Sequence, residues 1–353
     1  MDAYRSGENK VITIYDIAKE AGVSASTVSR VLTNNAHVRN EKKQRVLELI
    51  EKYDFKPNAM ARGLSDTRSK VIGIITADIR NPFYADVFVA CEVAAQKAGY
   101  TVMLCNALGE RMQEEKLLEK LQEQRVDVVI QMGGRVDDLV SDASYVEKVN
   151  KLMNNIPMVV TGKLDGTQCY QVRIDAMKCI DLLMEHLIEL GHREIALIGG
   201  RMNVLSTFEK FQRYKQNLSR YKIAFKEALT VEDGGYDYET GYARMNKMLD
   251  QGIRPTAVIA INDFAAVGIV RSIQEHGLGI PQDISVVSYD NTYVSELVSP
   301  KLTTIDYNYE SFGEQLIETA IASIEGGENP KLQLIPPTLI VRGSSGKVPE
   351  IIG

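Results

Sequence analysis

Ile14-Tyr15-Asp16-Ile17-Ala18-Lys19-Glu20-Ala21-Gly22-Val23-Ser24, followed by Ala25-Ser26-Thr27-Val28-Ser29-Arg30-Val31-Leu32, is the stretch on which the reading of the whole chain turns. Thr13 can cap a first helix running through Glu20, with Asp16 in the first turn, where a carboxylate meets unpaired amides. Ala21-Gly22-Val23 is a tight turn, and Ser24 caps a second helix from Ala25 to Leu32. Two short helices joined by a glycine-containing turn, the second of them polar, form a helix-turn-helix pattern. Ile17, Ala18, Val23, Val28 and Val31 make its core and leave Ala25, Ser26, Ser29 and Arg30 on an outer face. Such a face fits the major groove of DNA, where an arginine pairs with a guanine edge through two hydrogen bonds. A small helical bundle with solvated polar residues fits the same spacing. Asn40 is expected to cap a third helix, in which Val46, Leu47, Leu49 and Ile50 repeat at helical spacing, and Pro57 stops it.

From Val71 the pattern changes. Val71–Thr76 reads as a strand, and Tyr84, Val87, Phe88, Cys91, Ala94, Ala95 and Ala98 then form one helical face. Strands follow at Tyr100–Cys105, Val126–Gln131, Met158–Thr161, Ile195–Ile198, Ala257–Ile261 and Ile284–Ser288. Helices are expected at Glu110–Gln124, Lys178–Leu190, near Arg220–Leu229, Glu239–Gln251 and Ala265–His276. Short apolar runs alternating with amphipathic helices imply α/β architecture with parallel sheets covered on both faces. There are too many strands for one small sheet, so two doubly wound lobes are expected. Ligands in such sheets bind beyond the carboxyl ends of the strands.

The chain has 353 residues, 44% hydrophobic and 25% charged, which excludes a disordered chain or a fibre. Its longest apolar runs are strand-sized, far short of the roughly 20 residues of a membrane span. The polar opening, Met1 to Lys10, lacks the apolar centre of a secretory signal. Cys91, Cys105, Cys169 and Cys179 contain no CxxC pair and read as reduced, buried thiols of a cytoplasmic protein. The four histidines are scattered, so neither a metal nor a cofactor is expected. The net charge of −6 is unevenly spread: residues 1–64 carry 11 Lys+Arg against 8 Asp+Glu, a basic head on an acidic body.

The head resembles the N-terminal signature of the LacI/GalR family of transcriptional regulators in the two stretches quoted above. It does so again in Tyr53-Asp54-Phe55-Lys56-Pro57-Asn58-Ala59-Met60-Ala61-Arg62-Gly63-Leu64. The resemblance implies that the start of the second helix reads bases. Here those residues are Ala25, Ser26 and Thr27, all small, which shifts base reading toward Arg30. It also puts Thr13, Ile14, Asn34 and His37 near DNA. Asn58 to Leu64 resembles the family's hinge helix. Asn58 and Ala61 would lie at the minor groove and Leu64 would wedge a base step apart. A seven-residue helix does not persist alone in water, so pairing with its twin on DNA would hold it.

The body resembles the same family, and through it the periplasmic sugar-binding proteins, from Val71 to about Arg342. The matching pieces include Asp78-Ile79-Arg80-Asn81-Pro82-Phe83-Tyr84, Ala260-Ile261-Asn262-Asp263 and Tyr289-Asp290-Asn291. Phe83 and Tyr84 follow a strand end and offer aromatic faces to a ligand. Asp290 follows a strand and can accept ligand hydroxyls. Asn262 can donate and accept, whereas Asp263 is expected to cap its helix. The resemblance adds Asn81 and Tyr236. It also exposes departures: Gly162-Lys163 stands where sugar-binding relatives carry Asp-Arg, and Asp306 where they often carry Gln. Arg220 matches the family's cleft-facing arginine only with a one-residue shift. Lys163, Arg220 and Arg135 would suit an anionic sugar; paired with Asp290 and Asp306, they would leave a neutral one.

These observations lead to a helix-turn-helix domain over 1–57, a hinge helix over 58–66 and a two-lobed ligand-binding and dimerisation core over 67–353. The expected function is that of a DNA-binding transcriptional regulator, a repressor by resemblance. It would act as a homodimer on double-stranded operator DNA, with no membrane partner, under control of a sugar or sugar derivative. The short Gly/Ser-rich end, Gly343–Gly353, offers no further tetramerising helix. A solute-binding protein for sugar transport is the rival from the body alone. An enzyme is disfavoured by the lack of phosphate-loop spacing and of catalytic pairs.

Overall fold

The computed structural model describes residues 12–32, 38–55, 68–231, 234–327 and 329–348. The chain divides into two compact units, residues 1–69 and 70–353.

In the first unit, helices Ile14–Ala21, Ala25–Leu32 and Asn40–Lys52 enclose a core of Ile17, Ala18, Ala21, Val28, Val31, Val46 and Leu49. Thr13 and Asp16 form a reciprocal capping box, each side chain bonding the other's backbone amide. Gly22, at φ +67°, stops the first helix in the left-handed conformation, and the Val23 amide reaches back to Ala18 O at 3.0 Å. Glu20 ties the third helix to the first through Lys52 and Tyr53, both at 2.8 Å. The third helix begins one residue earlier than expected in its capping: Arg39 occupies the cap and Asn40 is the first helical residue, with no side-chain cap bond.

The second unit holds two six-stranded sheets. In spatial order the N-lobe sheet is β11 (Leu332–Ile335), β5 (Tyr170–Ile174), β4 (Met158–Val160), β3 (Val128–Met132), β1 (Val71–Thr76), β2 (Thr101–Asn106). The C-lobe sheet is β12 (Thr338–Ile340), β10 (Thr303–Asp306), β9 (Ser285–Asp290), β8 (Ala257–Ala260), β6 (Ile195–Ile198), β7 (Thr230–Val231). All pairings are parallel except β12 on β10, an antiparallel edge that the expectation of wholly parallel sheets lacked. Side chains alternate between sheet faces, so Ile72 and Ile74 enter one N-lobe core and Ile75 the other. Likewise Ile195 and Leu197 part from Ala196 and Ile198 in the C-lobe. The chain crosses between lobes at Asp175, between Asp306 and Tyr309, and between Ile335 and Thr338.

The helix expected near Arg220–Leu229 lies instead at Leu205–Arg220. Its inward stripe, Leu205, Thr207, Lys210, Phe211, Tyr214, Asn217 and Leu218, has the helical period but includes three polar residues, which hides it from an apolar count. Helices Ala143–Met153 and Tyr309–Glu325 and strands β5 and β11 are also absent from the expected elements.

Candidate functional site

In the head, helix Ala25–Leu32 buries Val28 and Val31 and leaves Ser26 and Arg30 exposed, with Thr27 and Ser29 half-buried. Ser24 accepts the Thr27 amide at 3.2 Å, and its hydroxyl lies 2.8 Å from those of Ser26 and Thr27, so the first turn is tied together by hydroxyls. Ile14 and Ala25 pack partly against the core, so Ala25 gives less of itself to the outer face than expected. The Thr13 hydroxyl is committed to Asp16 at 2.6 Å. Tyr15, which the sequence reading did not single out, is 73% exposed beside Thr13 and Ile14. Asn34, His37, Asn58, Ala61, Leu64 and the expected hinge lie outside the described residues.

In the second unit, both sheets share one winding. Chain order runs outward in one direction to β2, or β7, and then in the other, so a crevice opens at the carboxyl ends of β1 and β3 and of β6 and β8. There the two lobes enclose a cavity of about 710 Å³. Asn81, Phe83, Tyr84, Tyr236, Asn262 and Asp290 all line it. Asn81 caps helix Pro82–Lys97, accepting the Phe83 amide at 3.1 Å, which aims the two aromatic rings; they meet edge-on at 5.1 Å. Tyr236 is fixed by its hydroxyl, 2.7 Å from Thr207 Oγ1, with the Arg201 guanidinium over its ring. Asn262, and not Asp263, takes the capping role. Asn262 caps helix Asp263–Glu275, accepting from Ala265 N at 2.8 Å, and donates to Tyr236 O at 3.0 Å. Asp263 is fully buried beneath the site and accepts from Ser288 Oγ, Thr292 N, Thr292 Oγ1 and Thr304 Oγ1 at 2.5–3.1 Å.

Asp290 stands directly above. Its backbone has φ +100°, a costly region for any residue with a Cβ. Tyr309 donates to its carbonyl at 2.7 Å. Burial and the neighbouring Asp263 push its carboxyl up, against the pull of Lys210. Lys210 is buried in the cavity wall over the Tyr289 ring at 3.8 Å, and that burial lowers its pKa.

Arg135, Lys163, Arg220 and Asp306 do not line the cavity. Arg135 turns into the N-lobe, 2.8 Å from Glu115 and against the Tyr145 ring. Lys163 pairs with Asp165 at 2.6 Å. Arg220 ends its helix at the surface, 3.6 Å from Glu185; the cation that this helix turns into the cavity is Lys210, ten residues earlier. Asp306 accepts from Asn291 Nδ2 at 2.9 Å and Asn308 N at 3.0 Å, fastening the second crossover.

The charged residues that do line the wall were mostly missed. Arg173, at the end of β5, grips Glu209 of the opposite lobe at 2.9 and 3.1 Å. Leu139 N donates to Asn203 O at 2.8 Å beside it, so protein contacts bridge the cleft. Glu114 accepts from Gln131 Nε2 at 2.9 Å and Arg135 N at 3.1 Å, while Arg111 binds Asp138 at 2.7 Å. Asp137, from the turn Gly134–Asp137 after β3, is raised to about 7 by burial, with the Arg173 charge opposing. The four cysteines are buried and reduced; burial raises Cys91 and Cys179 to about 12.

Residues 13–58 match the family described as bacterial regulatory proteins, lacI family. Residues 184–345 match the periplasmic binding protein-like domain. Catabolite control protein A of Priestia megaterium is 33% identical over 83% of this chain and 87% of its own. The HTH-type transcriptional repressor PurR of Histophilus somni is 32% identical over 94% of this chain and 98% of its own. The chain belongs to the LacI/GalR family of transcriptional regulators. Among solved structures, a lac repressor dimer bound to operator and the anti-inducer ONPF superposes with a TM-score of 0.85 at 28% identity, covering 96% of this chain and 100% of that one. Family membership accounts for the head, which a solute-binding protein would not need. Among the described residues, no helix is long and apolar enough to cross a membrane.

Proposed function

We propose that the chain is a cytoplasmic, non-enzymatic repressor that acts as a homodimer on a near-palindromic operator and is controlled by a neutral, polyhydroxylated effector such as a sugar. Ser26, Thr27, Ser29 and Arg30 would meet the major groove, and residues 58–66 would form the hinge. The observation that carries the effector reading is the cavity of about 710 Å³ at the strand ends, of a size that encloses a small ligand. Phe83, Tyr84 and Tyr236 supply flat apolar faces and Asn262 and Asp290 polar ends. Eight acidic and five basic side chains line it, which favours hydroxyl donors over an anion. The three cations that suggested an acidic sugar lie elsewhere and lend that alternative no support. Dimerisation draws support from apolar side chains left exposed on one N-lobe helix and strand, Val89, Val93 and Leu104, and from the dimeric lac repressor relative.

Closing of the lobes can regulate DNA only if the effector prefers one state of the core over the other. Gel-shift titration of the full chain on the DNA upstream of its own gene is the test, at two salt concentrations and with a panel of ribose, glucose, galactose and cellobiose. Specific, salt-sensitive binding altered by one of these sugars is expected. Binding indifferent to DNA sequence would sink the operator reading. Arg30→Ala should weaken specific binding about tenfold or more, in line with roughly 1–3 kcal/mol for a paired base contact.

A further inference from the structure

The N-lobe wall contains an acid that no donor of the described residues serves. Most of the other cavity acids are provided for. Asp78 takes Arg80, Asp138 takes Arg111, Glu209 takes Arg173, Asp237 takes the Thr240 amide, and Glu114 takes Gln131 and the Arg135 amide. Asp290 accepts from Tyr307, and Glu239 is exposed. The carboxylate of Asp137 receives no hydrogen bond among the described residues, although it is half-buried and faces the cavity. With no donor from the chain, that carboxylate is left to water until a ligand supplies one.

The backbone holds it there. Lys163 N donates to Val136 O at 2.7 Å, clamping the turn that carries Asp137 onto the segment after β4. Gly162 lies in that clamp. A Cβ on it would meet Val136 O at 1.9 Å and Asp137 Oδ1 at 2.6 Å. Asp137 therefore fills, from the neighbouring strand, the space that a side chain at 162 would need. Asp137, from the turn after β3, and Asp290, at the end of β9, line the same cavity from opposite lobes.

We propose that Asp137 is the effector-recognising acid of the N-lobe, accepting a ligand hydroxyl opposite Asp290 so that one polyhydroxylated molecule is held by both lobes. This assignment rests on the reading of the cavity as an effector site for a neutral polyol. It makes Asp137 a specificity-determining residue: a ligand lacking a hydroxyl at that end would leave the carboxylate unserved.

The test uses the full-length protein and its near-isosteric variant Asp137→Asn, with Asp137→Ala as a second variant. Isothermal titration with ribose, glucose, galactose and cellobiose should give a sugar that binds the parent and loses at least tenfold in affinity to Asp137→Asn. Without ligand, at pH 8, Asp137→Asn should melt several degrees above the parent, because a carboxylate awaiting a ligand is a liability to the empty protein. A sugar bound equally by parent and variant overturns the assignment and leaves the effector reading standing. Binding of no sugar by the parent removes the sugar reading, and this assignment with it. A lower melting temperature for Asp137→Asn without ligand makes Asp137 a structural acceptor and also overturns the proposal.

Discussion

In the C-lobe, Asp290 stands on a strained strand end over Asp263, whose carboxylate gathers two hydroxyl-bearing strands and the Thr292 turn, while Tyr309 holds the Asp290 carbonyl. In the N-lobe, Asp137 rides on a short turn clamped by one backbone bond and receives no side-chain donor among the described residues. The strand order is the same on both sides. On the proposed reading, one jaw of the clamp is built before the ligand arrives, and the other would be completed by it. Preorganisation on one side limits the ordering that binding must pay for, and incompleteness on the other lets binding change the protein.

Removing the support of the built jaw should do the most damage. Asp263→Ala leaves four donors without their acceptor in a fully buried site, and a loss of about 3 kcal/mol is expected in denaturant titration of the core. A change under 1 kcal/mol would mean that the C-lobe jaw does not depend on this network. Next comes the clamp of the other jaw. Gly162→Ala drives a Cβ into the Val136 carbonyl and should cost about 2 kcal/mol in the same titration. It should also weaken sugar binding by displacing Asp137; intact affinity would show that the turn tolerates the shift.

The pH dependence of the empty protein compares the two acids directly. Asp137 is held at about 7, above its ordinary 3.8, and Asp290 is raised in the same direction. A carboxyl whose folded pKa is raised favours the folded state while protonated. Stability should therefore fall as pH rises from roughly 4 through 7, by up to about 1.4 kcal/mol per pH unit per group. The groups around Asp137 are Arg173, Asp138 and Glu114; those around Asp290 are Asp263, Lys210 and Asp86. Asp137→Asn should flatten its share of the slope in melting curves across that window, and an unchanged slope would assign the fall to the C-lobe acids alone. The smallest effect is expected at Thr207→Val, which frees the Tyr236 hydroxyl at a loss of about 1 kcal/mol and leaves both acids in place.

The head was legible because its signals are local. The Thr13 cap, the Gly22 turn and the spacing of Val28 and Val31 lie within twenty residues of each other. Asn40 was misjudged because Arg39 assumes the capping backbone geometry without a capping side chain. In the core, one positional rule, that ligands sit past strand ends, pointed to Phe83 and Asn262, which line the cavity. The same rule applied to β3 points to Asp137, since Gly133-Gly134 breaks the strand three residues before it. Arg173 escaped because β5 is half-buried and mixes polar with apolar residues, so it was not recognised as a strand. Lys210 and Glu209 escaped with their helix, whose inward stripe is partly polar because it faces a cavity. Arg135 was attractive as a cation near a strand end, but it is consumed by Glu115 and Tyr145 inside the lobe.

The three crossovers between the lobes bear on how the molecule is made. Strand β11, Leu332–Ile335, pairs with β5, Tyr170–Ile174, and helix Tyr309–Glu325 packs into the same N-lobe core. The lobe begun first on the ribosome is therefore finished almost last. Through the synthesis of some 160 residues its open sheet margin must avoid stray partners, an exposure that a rearrangement bringing 309–335 directly after 174 would shorten.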